Sequence, residues 1–92
     1  MTKHWEYQEI YDGAKTIITN YLRLKKDELQ PDSHIVDDMG ADSLALVELG
    51  FQLSEKFSVP LMDTSDEIMI FKNLVRYIYE SQLQMPSAEK KE

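Results

Sequence analysis

Residues 40–57 read GADSLALVELGFQLSEKF, and the phase of their apolar side chains decides the fold. The run opens on Gly40, which is free to turn, and on Asp42, a residue type that caps helices, so the pattern predicts a helix from Ser43 to about Phe57. Successive helical residues stand about 100° apart, which gathers Leu46, Leu49, Leu53 and Phe57 into a sector of about 80°. That stripe is the expected core contact. Leu44, Val47 and Phe51 form a second stripe about 180° away, and one helix of a small bundle cannot bury both. Glu48 and Glu55 lie within about 60° of the second stripe, so the outer face joins apolar groups to carboxylates. Such a face is a candidate docking surface: apolar contacts supply affinity, and the acids supply steering and orientation.

Working outward, Tyr7, Ile10, Tyr11, Ala14, Ile17, Ile18, Tyr21 and Leu22 recur at spacings of three and four and predict a first amphipathic helix over residues 5–22. Residues 23–34 break that pattern with Lys25-Lys26-Asp27-Glu28 and Pro31-Asp32-Ser33, a long ordered loop pinned by Leu24, Leu29, Ile35 and Val36. Beyond Phe57, Ser58-Val59-Pro60 stops the central helix. Asp63, Thr64, Ser65 and Asp66 are candidate caps for a short third helix around residues 66–70. A last helix follows, with Phe71, Leu74, Val75, Ile78 and Leu83 as its inner stripe. From Met85 onward nothing apolar is placed to be buried, so residues 85–92 are expected to be a disordered tail. The predicted fold is all-α, a small four-helix bundle of three longer helices and one short one, formed as a single domain by residues 1–84.

Composition narrows the function. At 92 residues there is room for one core only, and the net charge of −7 has the wrong sign for neutralising phosphates, so nucleic acid is a poor partner. Cysteine is absent and His4 and His34 are the only imidazoles, which leaves no disulfide, no thiolate nucleophile and little basis for a metal site. An EF-hand register built on Gly40 would place Ile35 and Met39 at ligand positions, so that motif fails too. No apolar run reaches the roughly 20 residues of a membrane span, and the first residues lack an apolar signal core, so a cytoplasmic location is expected. The charge is concentrated: residues 27–67 hold eleven acids and one base, a net −10, while the rest of the chain is +3. Basic protein surfaces are the expected company. His34 reads as a loop residue rather than a functional one, and Trp5, Tyr7 and Tyr11 as helix-packing groups.

Ser43 stands at the head of the central helix. A phosphate esterified there would lie near unpaired backbone N–H groups and the positive end of the helix dipole. As a nucleophile of its own it has no Gly-x-Ser-x-Gly elbow, so autonomous hydrolase chemistry is not expected.

The run Gly40-Ala41-Asp42-Ser43-Leu44, followed by Val47-Glu48-Leu49 and preceded by Asp37-Asp38-Met39, closely resembles the 4′-phosphopantetheine attachment region of the acyl carrier proteins. Ile17-Ile18, Leu22, Leu29, Ile35, Val36, Phe57 and Tyr77-Ile78 fall on corresponding positions, so the resemblance covers roughly residues 14–79. It implies a non-enzymatic carrier whose Ser43, between Asp42 and Leu44, takes 4′-phosphopantetheine from coenzyme A through a phosphopantetheinyl transferase and Mg²⁺. The thiol would belong to the prosthetic group, in keeping with the missing cysteine. The resemblance also implies partner recognition by Leu44, Val47, Glu48, Phe51 and Glu55. The expected partners are ketosynthase, acyltransferase or ligase enzymes with basic docking surfaces, met by a monomer serving fatty-acid, lipid or polyketide-type biosynthesis. Leu46, Leu49, Gly50, Ile68 and Phe71 are the corresponding acyl-pocket candidates.

Ala45, Ser54 and Lys56 occupy positions often acidic in that family, which predicts a less negative docking face and a specialised carrier. Gly50 costs about 1 kcal/mol in mid-helix relative to Ala and is expected to open room for the cargo. Two other readings share these residues: a peptidyl or aminoacyl carrier, against which Gly40-Ala41 in place of Gly-Gly argues, and an unmodified helical interaction module.

Overall fold

The computed structural model describes residues 4–60 and 66–84. Among them are three α-helices, α1 (Tyr7–Leu22), α2 (Ser43–Phe57) and α3 (Phe71–Gln84), and two 3₁₀ turns, Lys26–Glu28 and Asp66–Met69. The candidate caps Asp63, Thr64 and Ser65 and the 85–92 tail lie outside the described residues.

The first helix starts later than its apolar pattern, because Glu6 takes the cap position and its N–H donates to Glu9 Oε1 at 2.9 Å. Trp5 is left in front of the helix, edge-on to Phe57 with ring centroids 5.2 Å apart. Helix α1 ends on Arg23 at φ 60°, where the Leu24 N–H donates back to the Thr19 carbonyl. Ile10, Ala14 and Ile18 are buried. Gly13 lets α1 approach the end of α2, since a Cβ there would stand 2.9 Å from Phe57 Cζ.

On α2 the fully buried row is Ala45, Leu49, Leu53 and Phe57, each four residues from the last, with Leu46 only partly covered at its flank. The expected stripe was thus out of phase at its first member. The small Ala45 packs inward with buried Ala41, and the helix is rolled accordingly. Ser58 closes α2 in the left-handed region at φ 56°.

The fourth helix of the expected bundle is present only as the four-residue 3₁₀ turn. It cannot continue, because the Ile35 N–H donates to the Met69 carbonyl and the Phe71 N–H to the Ser33 carbonyl. These bonds hold His34 and Ile70 in an antiparallel bridge and force an extended residue between the turn and α3. Helix α3 buries Phe71, Leu74, Val75 and Ile78 as expected, but Leu83 is exposed and Gln82 is buried in its place. Four residues beyond Ile78, position 82 continues the inner row. The Gln82 amide there accepts the Trp5 N–H and donates to the Trp5 carbonyl. The loop anchors Leu29 and Ile35 are buried; Leu24 and Val36 are half-buried.

Candidate functional site

The site is built where the long loop becomes α2. Gly40 turns the chain at φ 80°, a conformation costly for any residue with a side chain. Ala41 is then held by its N–H to the Ile35 carbonyl at 3.1 Å and is buried. Asp42 follows with extended backbone, and its Oδ1 accepts the Ala45 N–H at 2.8 Å while its carbonyl accepts the Leu46 N–H at 2.9 Å. The cap predicted from residue type is present in its usual geometry.

Ser43 is the first residue of α2 and is exposed. Its own N–H and that of Leu44 belong to the first turn, which has no intrahelical acceptors to offer. The helix dipole places partial positive charge at the same point. A phosphodiester on the serine oxygen fits this position: the oxygen is open, backbone donors are nearby, and the Asp42 carboxylate is engaged as a cap. The His34 Nδ1 is engaged in the loop, where it accepts two backbone N–H groups.

The outer stripe of α2 is uncovered. Leu44, Val47 and Phe51 are 68%, 67% and 65% exposed, and Glu48 and Glu55 stand exposed among them. The expected thinning of charge on this face is not found at two of its three positions. Ala45 points into the core, and Lys56 lies over the Trp5 ring, 5.3 Å from its centroid. Ser54 is half-buried, with its hydroxyl donating to the Val59 carbonyl at 2.6 Å.

The acyl-pocket candidates are only partly brought together. Leu49 and Phe71 belong to one buried cluster, with Leu46 packed against it. Ile68 is buried but lines a different feature, an open groove of about 240 Å³ between the second 3₁₀ turn and α3, shared with Asn73, Arg76 and Tyr77. Gly50 is half-buried, and a Cβ placed on it would meet nothing within 4 Å. Among the described residues no group of three or more His, Asp or Glu side chains is placed to hold a metal ion, and no helix is long and apolar enough to cross a membrane. The groove and the Trp5–Gln82 pairing had no sequence signal, because both depend on contacts between segments remote along the chain.

A family model described as the phosphopantetheine attachment site matches residues 13–68. An acyl carrier protein of Campylobacter hominis is 37% identical over 71 residues, covering 76% of this chain and 90% of that protein. Acyl carrier proteins of Wolinella succinogenes and Helicobacter hepaticus are 37% and 34% identical, over 75% and 76% of this chain and 92% and 93% of theirs.

Proposed function

The chain belongs to the phosphopantetheine attachment family of non-enzymatic carriers, and from that premise we propose that Ser43 is the residue that carries the 4′-phosphopantetheine arm. The observation that carries the reading is the exposed serine at the head of α2, next to a capping Asp42 and a turn away from an uncovered apolar face. In the transfer, Ser43 Oγ forms a bond to the phosphorus of the arm, adenosine 3′,5′-bisphosphate leaves from coenzyme A, and the hydroxyl proton passes to a base of the transferase. When bound, the arm supplies a thiol on which an acyl group is held as a thioester. Asp42 keeps the first turn closed, and Gly40 and Ala41 aim the serine outward.

Leu44, Val47 and Phe51 are then the docking contacts, with Glu48 and Glu55 orienting partners that present basic surfaces. Transferase, ketosynthase, acyltransferase and ligase enzymes are partners of this kind. Phe51 supports a partner set with an apolar recess deep enough for a ring. Leu46, Leu49, Gly50, Ile68 and Phe71 are the candidates for sheltering the cargo. Residues 1–84 act as one monomeric unit in the cytoplasm.

Incubation with coenzyme A, Mg²⁺ and a broad-specificity transferase, followed by intact mass measurement, tests the assignment. One phosphopantetheine is added to the wild-type chain and none to Ser43→Ala. A wild-type chain that gains nothing would instead be an unmodified interaction module.

A further inference from the structure

The segment leading to Ser43 is organised around one imidazole. His34 Nδ1 accepts the Val36 N–H at 3.2 Å and the Asp37 N–H at 3.0 Å. A ring nitrogen accepts only through its lone pair, so Nδ1 carries no proton in this arrangement. The 3.8 Å separation between Nδ1 and Asp37 Oδ2 is therefore proximity rather than an ion pair. The backbone of His34 is engaged on both sides. Its N–H donates to Asp38 Oδ2 at 2.8 Å, and its carbonyl accepts the Asp38 and Met39 N–H groups at 2.8 and 3.1 Å. The antiparallel bridge ties the same residue to Ile70 just before α3. Downstream, the Gly40 N–H donates to the Val36 carbonyl and the Ala41 N–H to the Ile35 carbonyl. The turn that Nδ1 caps is thus the support from which Gly40, Ala41 and Asp42 lead into α2. At 13% exposure the side chain is enclosed, unlike a solvent-facing loop imidazole.

We infer that His34 is a positioning residue for the modification of Ser43: its Nδ1 holds the turn over residues 35–39 closed and thereby fixes where Asp42 and Ser43 stand for the incoming transferase. It touches no reacting atom. The inference rests on the assignment of Ser43 as the attachment residue. Without the cap the segment samples several arrangements, and an enzyme that recognises the ordered one meets a smaller competent fraction of its protein substrate. KM rises, while kcat, set after docking, is preserved.

The two ring nitrogens can be separated by substitution. Asn places an acceptor where Nδ1 stands, whereas Gln places its amide near the Nε2 position and leaves the Nδ1 position empty. The full chain and its variants are assayed with coenzyme A, Mg²⁺ and the transferase, and amide hydrogen exchange is followed at Val36 and Asp37. His34→Asn keeps the protection of both amides and a KM within about twofold of wild type. His34→Gln and His34→Ala lower that protection about tenfold and raise KM about five- to tenfold with kcat within about twofold. Ile18→Val, a core change in α1, controls for general loss of stability. A wild-type KM in His34→Gln overturns the inference, as does an equal rise in Ile18→Val at matched melting temperature. Should His34→Ala fail to fold, the Asn and Gln variants decide the matter. If the wild-type chain takes no modification, the Ser43 assignment falls and the inference with it; failure of the inference alone leaves wild-type modification intact.

Discussion

Asp42 illustrates how much of the site one side chain holds in place. Its carboxylate closes the first turn of α2 on the Ala45 N–H, and the residue beside it is the exposed Ser43. Asp42→Ala should lower the unfolding free energy by about 1 kcal/mol, as loss of an N-cap does, read as a fall in urea midpoint with unchanged slope. Tyr11 makes a separate prediction. Burial raises its pKa above the ordinary 10.0, with smaller contributions from Tyr7 and Asp12, and its ring stands edge-on to Phe71 at 5.0 Å. The unfolded chain therefore ionises this phenol before the folded chain does. The stability it contributes is complete below pH about 10 and is lost as pH rises through the raised value. Urea midpoints measured from pH 9 to 11 should fall, and Tyr11→Phe should make that fall shallower. His34 is the residue least legible in the sequence. Its type says only that it has two ring nitrogens; the acceptor role appears when residues 34–37 take one particular turn.

Among the elements, the bounds of α2, Ser43 to Phe57, are legible in the sequence because its cap, its apolar spacing and its stop at Ser58-Val59-Pro60 agree. Its phase is not. Leu46 and Ala45 differ by one position, and the apolar pattern alone favours the larger side chain for the interior. The structure instead buries the alanine, in the same cluster as Ala41, and leaves Leu46 packed at its flank. The difference reaches function, because Ala45, expected on the docking face, belongs to the core. The expected short helix before α3 is only a 3₁₀ turn for a different reason: the bridge between His34 and Ile70 joins residues far apart in the chain, and no local pattern signals it. The outer stripe of α2 carries its own test. Phe51→Ala removes a 65% exposed ring, so the melting temperature should move little. Affinity for a cognate partner enzyme should drop about tenfold or more if the ring is a buried anchor of that interface, measured by titration of the modified protein.

At the scale of the whole molecule, acidity that first appeared as a single net charge is distributed over the segment around Ser43 and α2, while Lys56 is turned aside onto Trp5. The order and approximate bounds of the three long helices are legible because each rests on local pattern. The closing contacts are not, and the pairing of Trp5 with Gln82 spans 77 residues. That pairing has a geometric consequence. Helix α2 runs from Ser43 to Phe57, a rise of about 21 Å, and Phe57 is the residue against which Trp5 rests. Trp5 and Gln82, near the two ends of the described chain, therefore meet beside the end of α2 remote from the serine. The contact of Trp5 with Gln82 and with Phe57 thus closes the described chain at one end of α2 and leaves the opposite end, where Ser43 stands exposed, free of that closure.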